Sequence, residues 1–294
     1  LDPDALFGDL LFPIVSLSVA VILFEGALTL KISELREIGT TVRNLVTIGA
    51  LITWLVTSVT VHLSLGFDFD LAMLFGAMVV VTGPTVIVPM LRTVRPVRRV
   101  ANILRWEGIV IDPIGALLAV LAFNYVLASQ KTEALDDIFA LFLMVVAIGS
   151  VIGLIFGFGL ALILRKDWLP EYLRSPFTLL MVFVAFAGAE MAEHESGLLA
   201  VTIFGMVLAN RPGVEVHDIL DFKESLSVLL ISGLFILLAA RVDFEGLVAI
   251  GWPAALVVAV IILVARPLAV FVSTIGSELS INERLLIAWI GPRG

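Results

Sequence analysis

The chain has 294 residues, 60% of them hydrophobic and only 15% charged, with a mean hydropathy of +1.12. Soluble domains are about 45–50% apolar and about 25% charged, so the composition excludes an ordinary soluble domain. The net charge of −8 says little about partners if it is split between two membrane faces, and the absence of cysteine removes disulfides and thiolate metal sites.

Apolar runs of about 20 residues, long enough to cross about 30 Å of hydrocarbon, recur along the chain without the alternation of a β-barrel. The expected fold is all-α and polytopic, with about ten visible transmembrane helices. They fall at residues 10–30, 42–63, 71–91, 105–128, 138–164, 176–192, 196–210, 223–240 and 252–272, with a last one from 284. The chain opens on LDPDALFGDLLFP, with neither Met nor a signal-peptide pattern, and closes on AWIGPRG inside an apolar run. A single membrane domain over 1–294, lacking helices at both ends, is therefore expected. Of the 18 basic residues, 14 lie in the odd-numbered loops and only Lys131 and Arg241 in the even ones. That asymmetry places the odd loops in the cytoplasm and the visible N-terminus outside, in a multi-pass protein of the inner or plasma membrane. The basic loop RTVRPVRRV reads as an anionic-lipid contact and not as a nucleic-acid site.

Residues that are costly in a bilayer carry the functional signal. In chain order, the first is Glu25, within VILFEGALTL. The third segment, VVVTGPTVIVPML, holds Gly83 and Pro84 at its centre with Thr82 and Thr85 beside them. A continuous helix is not expected there, and irregular backbone at membrane depth is tolerated only where it is buried in protein or lines a cavity. The fourth, LRWEGIVIDPIGALLAVLAF, keeps Glu107, Asp112 and Pro113. At about 100° per residue its two carboxylates point about 140° apart, so they cannot serve one site side by side. Glu107 then needs a cation, and Arg266 in LVARPLAV is the deep candidate, which leaves Asp112 for a pathway. Pro113 cannot donate to the carbonyl four residues back. Carboxylate plus free carbonyl oxygens suits a hard monovalent cation or a proton. Glu190, in FAGAEMAEHE, is a weaker candidate near a helix end. His62, His194 and His217 form no metal constellation, and no nucleophile–base or phosphate-loop pattern points to an enzyme or a cofactor. The last segment, WIGPRG, repeats the interruption with Gly291 and Pro292, and Arg293 follows. Two Gly/Pro-broken spans far apart in the chain are a pointer to a transporter binding site.

Taken together, LFEG, TGPT followed by VP, EG ahead of DP, SGLLA, ARPL and the terminal GPRG resemble, in family order, the monovalent cation:proton antiporters, in the branch of sodium/proton exchangers. The resemblance spans about residues 20 to 294. It implies an inverted-repeat fold of about thirteen helices with two crossed, unwound helices, of which the visible chain would begin at the third helix and end inside the twelfth. A core domain (about 42–128 and 252–294) would move against a dimerisation domain (about 10–30 and 138–240) of a homodimer. The resemblance also implies roles. Asp112 would bind cation and proton in turn. Thr82 would coordinate at the unwound helix, where Gly83 and Pro84 lie. Glu107 and Arg266 would be a structural ion pair, Glu25 a glutamate acting through water, and Arg293 the arginine of the second crossed helix with Gly291 and Pro292. This chain departs at Ile111, where many members carry Asn, at Gly83, where many carry Asp, and at Gly108, where many carry Ser; each change removes an oxygen.

The implied function is antiport of a monovalent cation, Na+ first and Li+ second, against H+. Competition at one carboxylate with alternating access makes such exchange one-for-one and electroneutral. A K+/H+ exchanger, an ion channel of related sequence, and a sensor that has lost transport are the alternatives. The expected partners are the cation, the proton, the bilayer and a second copy of the chain.

Overall fold

A computed structural model describes residues 3–131, 135–214, 217–242 and 244–291, and every regular element among them is helical. In chain order these are α1 (Pro3–Phe7), α2 (Leu11–Leu28), α3 (Leu35–Asn44), α4 (Ala50–Leu65), α5 (Phe69–Val79), α6 (Pro84–Val94), α7 (Arg98–Lys131), α8 (Leu135–Arg165), α9 (Glu171–Ala192), α10 (Ser196–Ala209), α11 (His217–Ala240), α12 (Phe244–Ile250), α13 (Trp252–Val260), α14 (Arg266–Ser273) and α15 (Ile281–Ile290). Two π-helical turns, Leu45–Gly49 and Ile261–Ala265, lead into α4 and α14. Among the described residues six stretches are long and apolar enough to cross a membrane: Gly8–Leu28, Ile32–Leu65, Arg98–Leu127, Ala140–Arg165, Glu171–Ala192 and Trp252–Ser273. Phe69–Val79, Ser196–Ala209 and Leu226–Ala240 are shorter apolar helices.

Two features differ from the sequence expectation. Helix α3 was not anticipated, because LREIGTTVRN is too polar for an apolar window and buries only Ile38, Thr41 and Val42. Helix α7 begins at Arg98, seven residues ahead of its apolar run, since a helix extends into the headgroup region where polar side chains are soluble. It also continues through Pro113. The third apolar run is interrupted, in line with the sequence reading, between α5 and α6, whereas the continuation of α7 through Pro113 leaves that apolar run a single helix.

The chain divides into two compact units, Leu1–Ile32 with Leu143–Asp243, and Ser33–Phe142 with Phe244–Gly294. In the first, α10 is the central helix. Lipid tails are as apolar as leucine, so helices in a bilayer associate through close packing and small residues. Gly149, Gly153 and Gly157 form a row on α8 against α10: a Cβ on Gly153 would lie 2.5 Å from the Ala200 carbonyl oxygen, and one on Gly149 2.9 Å from that of Ser196. Gly205 does the same toward α2, 2.6 Å from the Phe24 carbonyl oxygen. The Phe24 and Phe204 rings pack at a tilt of 55° with 4.7 Å between centroids, and both are fully buried. The ends of α10 are closed by side chains. Glu190 accepts from the N–H groups of Glu195 (3.0 Å) and Gly197 (3.3 Å), satisfying donors a helix N-terminus leaves free. Burial, and then the neighbouring Glu190, push the Glu195 carboxyl above its ordinary value. At the other end Asn210 donates to the carbonyls of Met206 and Leu30 and accepts from Ile32 N–H, all at 2.8 Å.

The second unit is more irregular. Helices α4 and α5 form a hairpin turned at Gly66 (φ 68°). There Ser58 lies against Gly76, and Trp54 Nε1 donates to the Met73 carbonyl at 2.8 Å. Val61, Ala72, Val257 and Ile261 form its buried apolar centre. The first π-turn packs on α14: Asn44 Nδ2 donates to the Ser273 carbonyl (3.2 Å), and Ser273 Oγ donates to that of Asn44 (3.1 Å). The second π-turn has a local cause. Pro267 lacks an N–H, which would orphan a carbonyl in a regular ladder. Just upstream the bonding shifts by one residue, and Arg266 N–H donates to the Ile261 carbonyl five residues back.

Candidate functional site

Helix α5 ends at Val79, and α6 begins at Pro84. Pro84 was expected within the unwound stretch. It instead opens α6, because a first-turn residue needs no N–H bond and proline's φ is already helical. Gly83 is extended (φ −62°, ψ 118°), and its carbonyl accepts from Val86 (3.2 Å) and Ile87 (3.4 Å). Thr82 lies in the gap, fully buried, and its Oγ1 has no hydrogen-bond partner among the described residues. The hydroxyls of Thr57 and Ser58 on α4 are in the same condition.

Helix α7 lies against this gap through two glycines. A Cβ on Gly108 would reach the Ile87 side chain at 2.5 Å and the Thr82 carbonyl oxygen at 3.7 Å, and one on Gly115 would meet the side chain of Val81. Asp112 is four residues after the first glycine and three before the second, so it shares the face of α7 that presses on the gap. It is half-buried and makes no hydrogen bond or ion pair among the described residues. Ile111 beside it is buried at 2% exposure, and supplies no oxygen.

Glu107 looks away from that face, toward α14. It is paired in two-pronged fashion with Arg266: Nη1 bonds Oε1, and Nη2 bonds Oε2 at 2.9 Å. Each side chain is 3% exposed. Arg266 Nη2 also donates to the Ile287 carbonyl on α15 at 3.1 Å, and Gly291 at the end of α15 lies against the guanidinium, where a Cβ has no room. One arginine thus ties α7, α14 and α15 together. Pro292 and Arg293 lie outside the described residues.

Glu25 belongs to the first unit. On α2 it is half-buried and accepts a hydrogen bond from Ser227 on α11. Ser227, the carbonyl of Ile287 and Gly115 are not marked by the sequence reading, which notes Gly108 only for the oxygen it lacks. Ser227 is 202 residues from Glu25, and no local pattern marks it. Gly108 and Gly115 did carry a signal, a glycine on each side of Asp112 at helical spacing. Among the described residues no group of His, Asp and Glu is arranged to hold a metal ion. Among the described residues the site's oxygens are one carboxylate, one hydroxyl and the carbonyls of an interrupted helix, a set for a hard monovalent cation or a proton.

Comparison with known proteins adds relatives to this geometry. The family model for the transmembrane sodium/hydrogen exchanger matches residues 11–294. The chain is similar to Na(+)/H(+) antiporter 1 of Methanocaldococcus jannaschii, 30% identical over 93% of this chain and 66% of that protein. It is also similar to the K(+)/H(+) antiporter NhaP of Alkalimonas amylolytica, 28% identical over 96% of this chain and 49% of that one. Among solved structures, the sodium proton antiporter MjNhaP1 from Methanocaldococcus jannaschii at pH 8 superposes with a TM-score of 0.82 at 27% identity, covering 97% of this chain and 70% of that one. The chain thus spans about two thirds or less of the length of these two curated relatives.

Proposed function

The chain belongs to the transmembrane sodium/hydrogen exchanger family, and from that membership we propose that it exchanges a monovalent cation, Na+ first and Li+ second, for a proton across the inner or plasma membrane. The observation that carries the reading is the placement of Asp112. It has no bonding partner among the described residues and lies on the face of α7 against the Val80–Gly83 gap, while Glu107 on the opposite side is committed to Arg266.

The proposed mechanism follows from one carboxylate with two exclusive loads. Ionised, Asp112 binds the cation together with the Thr82 hydroxyl and carbonyls of the gap; protonated, it cannot. Alternating access to the two sides then couples the fluxes one for one, with no net charge moved per cycle. Glu107 and Arg266 serve as structure, holding α7 to α14 and α15 so that Asp112 keeps its position. Glu25 acts through water. The unit Ser33–Phe142 with Phe244–Gly294 acts as the core domain. The other acts as the dimerisation domain of a homodimer, with the N-terminal end outward.

The test is transport in proteoliposomes with an imposed pH gradient and a panel of Na+, Li+ and K+. Wild type exchanges and Asp112→Asn does not; normal exchange by the variant overturns the reading. A K+/H+ exchanger is the second reading. Ile111, Gly83 and Gly108 supply no side-chain oxygen, which weakens the case for a small, strongly hydrated ion, and the similarity to a K(+)/H(+) antiporter supports it. The same panel separates the two.

A further inference from the structure

Two polar cavities of about 430 Å³ each open at one end of the second unit. The first lies between α3, the start of α7 and the loop after α14, and is lined by Arg36, Glu37, Thr40, Arg99, Ser277 and Glu278 among others. The second shares Glu37 and Arg99 with it and adds Arg98. Arg99 and Glu37 therefore border both. The Arg99 side chain is 29% exposed, its Nε is buried with no hydrogen-bond partner among the described residues, and the ion pair it makes there is long, 3.6 Å to Glu278, whose own side chain is 91% exposed. A largely desolvated guanidinium with most of its five donors unused is costly. Arg36 and Arg98 are exposed and make no hydrogen bond or ion pair among the described residues, so both are free to turn toward a ligand. The planar fork of arginine matches a phosphoryl group in two-pronged fashion, and the Thr40 hydroxyl adds a donor.

We propose that Arg99, with Arg36, holds a phosphoryl anion in this cavity, carried by a lipid headgroup or free in solution. Glu278 is the group the anion displaces. A bound phosphoryl group ties α3, the helix that carries Asp112 and the loop between α14 and α15 at one end. Its consequence for transport, a brake on movement of these segments, rests on the exchange reading above; the binding itself does not.

Isothermal titration of the purified chain in detergent tests this, with inorganic phosphate in one arm and dioctanoyl phosphatidylglycerol in the other. Saturable binding of phosphate identifies a free anion, and binding of the lipid alone identifies a headgroup. In either case Arg99→Gln weakens the apparent Kd about tenfold, and Glu278→Gln, at an exposed position that leaves the fold intact, tightens it severalfold. Failure of both probes to bind saturably, wild-type affinity in Arg99→Gln, or unchanged affinity in Glu278→Gln overturns the proposal. Asp112→Asn binds as wild type does, so the result is independent of whether the chain transports.

Discussion

The two units solve the problem of living in lipid in opposite ways. The first brings helices so close that backbone touches backbone, with the glycine row of α8 and Gly205 on the two sides of α10 and the Phe24–Phe204 pair filling the space beside them. The second keeps what a bilayer penalises: an interrupted helix, two π-turns, a buried ion pair and three buried hydroxyls without partners among the described residues. The contrast separates stiffness from chemistry. Where the chain only has to hold, small residues and aromatic rings suffice. Where it has to handle charge, it gives up regular hydrogen bonding and sets polar groups facing one another.

The comparison can be broken most completely at Asp112. Asp112→Asn is expected to bring exchange down to the level of protein-free liposomes while the melting temperature stays near that of wild type. In wild type, clamping the membrane potential with valinomycin and K+ is expected to leave Na+ or Li+ exchange unchanged, and a rate that follows the potential would point to a second charge, with Glu25 the group to test next. Next in size is the ion pair. Removing one partner of a buried pair strands the other, so Arg266→Ala or Glu107→Ala is expected to cost about 3–5 kcal/mol, read as a lower thermal midpoint and expression than for Asp112→Asn. A fully stable but inactive variant would move that residue from the scaffold to the chemistry. Smaller again is a wedge in the first unit. Gly153→Val is expected to cost about 1–3 kcal/mol by forcing α8 from α10, with the cation dependence of any remaining exchange unchanged. A shift in apparent cation affinity would show that the two units do not divide the work as described. The smallest effect concerns the start of α15, where Ser280 and Glu283 cap the helix reciprocally. Ser280→Ala is expected to cost about 1 kcal/mol. The Ser280 backbone N–H, then its hydroxyl, hold the Glu283 carboxyl below its ordinary value. That contribution is present at neutral pH and lost as pH falls through the lowered value, so the deficit of Ser280→Ala relative to wild type should shrink in acid, as thermal melts at several pH values will show.

How far this was legible in the sequence differs by residue. The gap before Pro84 was visible because Gly83-Pro84 in an apolar run has few outlets, although Pro84 itself proved helical. That Glu107 and Asp112 face different ways followed from helix geometry alone, and a buried glutamate with a single deep arginine in the chain leaves little choice of partner. Helix α3 was hidden because its pattern is that of an interfacial helix and not a spanning one. The glycine row of α8 was in plain sight at four-residue spacing, but only the structure shows which helix it receives. The Glu25–Ser227 bond and the closure of α10 by Glu190 depend on tertiary neighbours, which no local pattern encodes.

The π-turn before Arg266 has a consequence of its own. It stores one residue beyond what an α-helical ladder takes up in the same length. Deleting one residue within Ile261–Ala265 would let the ladder close as plain α-helix with the flanking helices still in line, whereas a deletion elsewhere in a helix turns everything beyond it by about 100°. The segment leading to Arg266 is therefore wound one residue looser than a plain α-helix, and the arginine that holds Glu107 sits where the regular ladder resumes.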